Sequence, residues 1–158
     1  MEYTIRDARE GDMRAVLALI QELADFEKEP NAVEIGQEDL IEHGFRKKLF
    51  HCFVAETPEG IAGIALVYPR YSTWKGPVLH LEDLIVVEGM RGRGLGTALL
   101  DRVVRYGHDL GVKRICWEVL AWNDPAIAFY EQKGARHLRD WNLVHLDQKA
   151  MERYLENL

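Results

Sequence analysis

His80-Leu81-Glu82-Asp83-Leu84-Ile85-Val86-Val87-Glu88-Gly89-Met90-Arg91-Gly92-Arg93-Gly94-Leu95-Gly96-Thr97-Ala98-Leu99-Leu100 is the run on which the fold turns. Its opening, within Val78 to Val87, is apolar and β-branched enough to be a strand buried on much of both faces. Its end begins a repeat of apolar residues at Leu95, Leu99, Val103, Tyr106 and Leu110, one face of a helix. Between the two lies Arg91-Gly92-Arg93-Gly94-Leu95-Gly96. Glycines let the chain turn sharply and let a ligand approach where no Cβ stands. The unpaired N–H groups and dipole of the helix start favour an anion there, and two arginines add full charge. Strand, loop and helix start together predict a diphosphate cradle.

The loop departs from two familiar cradles. A P-loop needs Gly-Lys followed by Ser or Thr, and Gly-Lys occurs nowhere in the chain. The dinucleotide pattern G-x-G-x-x-G/A places Thr97 at its sixth position when started at Gly92, and Leu99 when started at Gly94. Arg-x-x-Gly-x-Gly, from Arg91 through Gly94 to Gly96, does fit.

Working outward, 158 residues with 47% hydrophobic and 29% charged content predict one globular domain, 1–158, with a sizeable core. The first residues carry no cationic stretch followed by an apolar core, so no secretory leader is expected. No apolar run approaches the roughly 20 residues of a membrane span, so no membrane association is expected. Cys52 and Cys116 lie in strand-like contexts without metal spacing, which reads as buried free thiols in a cytoplasmic protein. The six histidines have no metal spacing either, and no metal is expected. A net charge of −6 without a basic stripe argues against a nucleic-acid partner.

Tyr3 to Arg6 reads as a short strand. Met13, Val16, Leu17, Ile20, Leu23 and Ala24 mark an amphipathic helix that stops before Pro30. Gln37 to His43 reads as a shorter helix, with Gly44 as its C-terminal cap. Phe50 to Glu56 and Ile61 to Tyr68, joined by Thr57-Pro58-Glu59-Gly60, have hairpin spacing. Tyr71 to Gly76 is a turn into the central strand. After the central helix Gly111 supplies the stop, and Arg114 to Leu120 reads as a strand parallel to the central one. Asn123-Asp124-Pro125 starts a helix that ends at Gly134. Trp141 to Leu146 reads as a last strand, and Asp147 as the cap of a terminal helix carrying Met151, Tyr154 and Leu155. The fold class expected is α/β, with a mixed, mostly antiparallel sheet, a central parallel pair and flanking helices.

The glycine loop resembles the coenzyme A loop of the GNAT N-acetyltransferases. Leu81-Glu82-Asp83, Trp122-Asn123-Asp124-Pro125, and Phe129-Tyr130 with Gly134 are similar to the same family. Glu22-Leu23-Ala24, Phe26-Glu27, Glu38-Asp39-Leu40, Gly44-Phe45, Tyr71 and Trp74 resemble its diamine acetyltransferase branch, the spermidine/spermine and thialysine enzymes. The resemblance covers nearly the whole chain. It implies acetyl-coenzyme A as co-substrate and direct attack by an amine in a ternary complex. It implies main-chain contacts of Leu84, Ile85 and Val86 with the pantetheine. Arg91, Gly92, Arg93, Gly94, Leu95, Gly96 and Thr97 would hold the pyrophosphate. Asn123, Asp124, Pro125, Ala126 and Tyr130 would touch the coenzyme from the second helix, with Lys133 at the adenosine end. It also implies a homodimer.

The chemistry gives two of these residues roles. An alkyl ammonium with a pKa of about 10.4 must lose a proton before it attacks a thioester. A carboxylate near the amine can hold the cation and take that proton, directly or through water. Glu82, on the strand entering the loop, is the candidate, and the resemblance assigns it that role. The leaving thiolate needs a proton in return, and the resemblance assigns its donation to Tyr130. Gln21 to Glu42 holds eight acids against one base, Lys28, a local charge of −7 that leaves the rest of the chain at +1. Such a field favours a small cationic amine: a diamine, a polyamine or a lysine-like amino acid such as thialysine. Phe26, Glu27 and Trp74, with Glu82, are the expected substrate contacts. Ser72 stands where the polyamine enzymes carry an acid, which favours a short acceptor.

Two other classes compete. A nicotinamide-dependent oxidoreductase would use the near-miss loop, with Glu118 holding a ribose. A non-catalytic acyl-coenzyme A sensor would share the fold without needing both Glu82 and Tyr130.

Overall fold

The computed structural model describes residues 2–158. The chain forms two compact units, one ending at Glu118 and one of Val119–Leu158.

The first unit is built on a five-stranded sheet in the order β1 (Thr4–Asp7), β2 (His51–Thr57), β3 (Gly60–Ser72), β4 (Gly76–Val86), β5 (Ile115–Cys116). Neighbours are antiparallel except β4 and β5, which are parallel. The mixed sheet expected from the sequence is therefore the one observed. Each hairpin is closed by a hydroxyl and a glycine. Thr57 Oγ1 donates to Gly60 O at 3.1 Å, and Gly60 has φ +122°. Ser72 Oγ accepts from Trp74 N and Lys75 N, both at 3.2 Å, and Gly76 has φ +81°.

Among the described residues three α-helices belong to this unit: α1 (Met13–Phe26), α2 (Gln37–Ile41) and α3 (Leu95–Leu110). Met13, Val16 and Leu19 of α1 and Leu40 of α2 pack with Cys52, Val54, Ile64, Leu66 and Ile85 on one face of the sheet. Side chains alternate along a strand, so Phe53 points to the opposite face. There Tyr106 of α3 meets its ring edge-on at 5.3 Å, and the Arg102 guanidinium lies 4.4 Å from its centroid. Gly63 shares that face; a Cβ there would stand 3.0 Å from both Ile85 O and Leu99 Cδ1, so glycine sets how closely α3 approaches.

The structure corrects several expectations. The short helix does not end at Gly44. It continues as a π-helical turn, Glu42–Arg46, and Gly44 lies inside it. Glycine is required there by packing, since a Cβ would stand 2.5 Å from the Phe50 ring. Leu110 is exposed, and Leu100 and Gly107 join Leu95, Leu99 and Val103 on the buried face of α3. The turn before the central strand is shorter than Tyr71 to Gly76, because β3 runs through Ser72. The strand expected over Arg114 to Leu120 shrinks to Ile115–Cys116. It pairs only through Leu79↔Ile115 and His80↔Cys116, after which no ladder holds the rest extended. Cys116 is half-buried, whereas Cys52 is buried; both are free.

The second unit carries α4 (Asp124–Gln132) and α5 (Gln148–Glu156). Asn123 Oδ1 accepts from Ala126 N at 3.4 Å, and Gly134 follows α4 with φ +90°. Asp147 Oδ1 accepts from Ala150 N at 2.8 Å, the cap expected for the terminal helix. Trp141 to Leu146, expected as a strand, has no strand pairing, and its apolar side chains are exposed. Met151, Tyr154 and Leu155 of α5 are exposed as well.

Candidate functional site

The open flank of β4 organises the site in the first unit. On the β3 side β4 is paired along its whole length, with Ala65↔Leu84, Ile64↔Ile85 and Gly63↔Val86 at its end. On the β5 side its pairing stops at His80. Among the described residues, Leu81 to Val86 have no strand partner on that side, as a groove for an extended, amide-bearing ligand requires. The expected contacts Leu84, Ile85 and Val86 all lie on this flank.

Glu82 sits where the ladder slips. Leu66 pairs with Asp83 and Val67 with Leu81, so Glu82 is the extra residue of a bulge. A bulge breaks the alternation of side chains and re-aims the one it carries. His80, Glu82 and Asp83 thereby share the sheet face of α1. Tyr68 Oη donates to Glu82 Oε2 at 2.9 Å, and His80 Nε2 stands 3.5 Å from the same oxygen. His80 and Tyr68 hold the Glu82 carboxyl below the ordinary carboxylate range, against the cost of its partial burial. Burial raises the Tyr68 hydroxyl to about 12, with the hydrogen bond to Glu82 adding to it.

Two further carboxyls respond to this charge. Burial pushes Asp83 up to about 6, and the charges of Glu82 and then Glu27 add to it. Glu27, just past α1, is raised by burial and then by Glu82. The charge of Glu82 thus disfavours ionisation of both Asp83 and Glu27, and a cation beside them would be favoured. The other acids of the Gln21–Glu42 segment include four with structural partners. Glu22 Oε1 accepts from Glu88 N at 3.1 Å and lies 3.6 Å from Arg91. Asp25 accepts from Gln21, Asp39 from Gly36 N, and Glu42 pairs with Arg46. Glu27 is the acid of that segment that the fold couples to Glu82.

The loop after β4 is shaped as a cradle. Gly92 and Gly94 have φ +74° and +89°, which glycine alone adopts without strain. Gly96 lies in the first turn of α3 with no such need, and a Cβ on it would meet only Val86 Cγ2, at 3.9 Å. No packing within the protein demands glycine there, so the cleared space fits a diphosphate approaching the first N–H groups of α3. Leu95 is buried and anchors that turn, while Thr97 is half-buried. Arg91 is partly committed to the scaffold: its Nε donates to Val86 O at 3.0 Å, and its guanidinium lies 5.7 Å from the centre of the Phe26 ring. Arg93 is exposed. Trp74, at the tip of the β3–β4 hairpin, is 78% exposed.

The second unit places Asn123, Asp124, Pro125 and Ala126 at the start of α4, with Tyr130 one and a half turns on. The Tyr130 and Phe129 rings are 5.4 Å apart, and Lys133 Nζ lies 5.7 Å from the Phe129 centroid. Sequence reading missed Tyr68 and His80. Both follow from the β3–β4 register, in which Tyr68 pairs with His80.

Among the described residues, no group of three or more His, Cys, Asp or Glu is placed to hold a metal ion, and no helix is long and apolar enough to cross a membrane.

A family model described as the acetyltransferase (GNAT) family matches residues 16–135. The chain is 38% identical over 159 residues to thialysine N-epsilon-acetyltransferase of Bos taurus, covering 93% of this chain and 94% of that protein. It is 32% identical over 160 residues to spermidine/spermine N(1)-acetyltransferase-like protein 1 of Homo sapiens, covering 94% of this chain and 23% of that protein. Among solved structures, an integron cassette protein from the mobile metagenome of V. cholerae matches with a TM-score of 0.80 at 18% identity, covering 99% of each chain.

Proposed function

We propose that this chain, which belongs to the acetyltransferase (GNAT) family and is an acyltransferase using acetyl-coenzyme A, acetylates a small primary amine that carries a second positive group. The observation that carries this reading is the Glu82 carboxylate beside the unpaired flank of β4, held by Tyr68 Oη at 2.9 Å and His80 Nε2 at 3.5 Å, whose charge disfavours ionisation of Asp83 and Glu27. A dication offsets that repulsion, one ammonium at Glu82 and the other at Glu27 or Asp83. The likeness to thialysine and spermidine/spermine enzymes supports the same class.

In this mechanism the main chain of Leu84 to Val86 and the Arg91–Thr97 loop bind the coenzyme, with Asn123 to Ala126 and Lys133 as further contacts. Glu82, held ionised, orients the ammonium and receives its proton directly or through water. The neutral nitrogen attacks the thioester carbonyl and forms the C–N bond. The C–S bond breaks, the departing thiolate takes a proton from Tyr130, and the acetylated nitrogen gives up its second proton to water, from which the Tyr130 hydroxyl is restored. Phe26 flanks the acceptor, whereas Trp74, at the hairpin tip about 20 Å of strand from Glu82, is given no contact with the reacting nitrogen. The role of Ser72 in closing the hairpin turn gives this chain a reason for serine there, and the short acceptor follows from the missing acid. The free thiols Cys52 and Cys116 fit a reducing, cytoplasmic location.

The test compares kcat/KM for putrescine, spermidine, thialysine and a neutral-tailed monoamine of equal length. Cation-bearing acceptors should lead by at least tenfold, and equal values would refute the carboxylate cluster as the acceptor site. Tyr130→Phe should lower turnover by roughly 10²–10⁴, the range for a lost general acid. Full turnover in that variant, with chemistry rate-limiting, would remove Tyr130 from the mechanism.

A further inference from the structure

His80 is a buried histidine that the mechanism above does not use, with a side chain only 7% exposed. Its two ring nitrogens face different partners. Nε2 points to Glu82 Oε2 at 3.5 Å, and Nδ1 lies 3.4 Å from Cys116 Sγ. The far side of that sulfur is also held: Arg70 approaches it at 3.9 Å, and the thiol faces Leu79 O at 3.7 Å. The ring is tilted against Tyr68, with centroids 5.1 Å apart, and Tyr68 donates to the same oxygen of Glu82. The His80↔Cys116 pair is the last rung of the β4–β5 ladder, and Glu82 is the bulged residue two places beyond it.

We infer that His80 is a positioning residue for Glu82. Cys116 Sγ, packed 3.4 Å from Nδ1, limits rotation of the ring, whose Nε2 faces Oε2, so the carboxylate is set at the point where β4 loses its parallel neighbour. Tyr68 and His80 both act on Oε2, which turns Oε1 toward the acceptor amine. This inference rests on the reading of Glu82 as the group that receives the ammonium proton. A carboxylate on a bulge has no regular ladder around it to fix its rotamer, and two donors from adjacent strands supply that constraint. The charged and titratable groups around the pair are Tyr68 and Arg70 of β3, Asp83 of β4, Glu27 beyond α1, and Cys116 of β5 with Glu118 after it. Of these, Arg70 carries positive charge and its contact is with the sulfur, so the His80 contact at 3.5 Å and the Tyr68 hydrogen bond bear the work of holding Glu82 ionised.

The experiment uses the full chain and three variants, with the acetyl-coenzyme A and diamine steady state followed across pH. His80→Phe keeps a planar ring in the buried slot and removes both nitrogens. His80→Gln keeps an N–H near the position of Nε2. Glu82→Gln removes the group being positioned. In His80→Phe the acid limb of kcat/KM should move up by about half a pH unit to one unit, because Glu82 loses a donor to its charged form. Its kcat should fall about three- to tenfold while KM for acetyl-coenzyme A stays unchanged. His80→Gln should restore both the limb and kcat, and it carries the same comparison against wild type if the Phe variant does not fold. In the Glu82→Gln background, His80→Phe should cost nothing further. A wild-type pH profile in His80→Phe, alongside a crippled Glu82→Gln, overturns the inference and leaves the base reading standing. Wild-type turnover in Glu82→Gln with chemistry rate-limiting overturns the base reading and this inference with it. A Gln variant as impaired as Phe would make the role one of packing alone.

Discussion

Gly96 separates coenzyme binding from folding more cleanly than its neighbours do. A methyl group there meets nothing closer than Val86 Cγ2 at 3.9 Å. Gly96→Ala should therefore leave the melting temperature unchanged or slightly raised, since alanine favours helix. Its affinity for acetyl-coenzyme A, read by calorimetry, should fall at least tenfold; unchanged affinity would place the diphosphate elsewhere. Gly94 does not serve this purpose, because its φ of +89° strains any side chain. Asp83 provides a second test at this scale. Its carboxyl, raised by burial to about 6, contributes stability that is complete below the unfolded value of about 4 and lost as pH rises through 6. Asp83→Asn should be more stable than the wild type at pH 7, by on the order of 2–3 kcal/mol, and equal to it at pH 4 in urea melts. An equal difference at both pH values would contradict the raised carboxyl. Glu82 was legible in the sequence because it precedes the loop on an unmistakable strand. Its partners were not: Tyr68 and His80 meet it through a bulge, and no spacing along one chain announces where a ladder slips.

Among the elements, periodicity found the helices that bury their own stripe, α1 and α3, though in α3 it took the exposed Leu110 for a buried position. It failed where the neighbour decides. Arg114 to Leu120 has the composition of a strand, but β5 is held only as far as its parallel partner stays beside it. Gly44 looked like a helix stop, yet the backbone carries on through it in a π-helical turn with the Phe50 ring against its Cα. Glycine marks both a turn and a close contact, and sequence alone does not separate them. Gly44→Ala should lower stability by about 1–3 kcal/mol through overpacking, and Phe50→Leu in the same chain should recover part of the loss. A neutral Gly44→Ala would mean the turn and ring shift freely apart.

For the whole molecule, the acidic segment carried less of the substrate argument than its charge promised. The fold spends Glu22, Asp25, Asp39 and Glu42 on its own amides and bases, and leaves Glu27 to act with Glu82 and Asp83. The second unit raises the question of assembly. Trp141, Leu143, Val144 and Leu146 are all exposed, Val144 at 86%, and so are Leu155 and Leu158 of the terminal stretch. Large apolar side chains left exposed in one stretch are what an association surface offers. We expect a homodimer whose interface includes this stretch. Light scattering at micromolar concentration should report twice the mass of 18.2 kDa, and Val144→Asp should shift it toward the single chain. A wild type that scatters as one chain would set the expectation aside.

The unladdered flank of β4 has a cost when no ligand lies along it. A strand with free amides on one side is a template for any other strand that reaches it, including one from a misfolding neighbour. Coenzyme bound there shields the template and also favours the native state by mass action. Shelf life and heat tolerance should then follow the coenzyme supply: turbidity on warming should begin later, and depend less on protein concentration, when acetyl-coenzyme A is saturating. For this chain the co-substrate would double as a protectant against clumping, and a cell short of it would lose enzyme as well as activity.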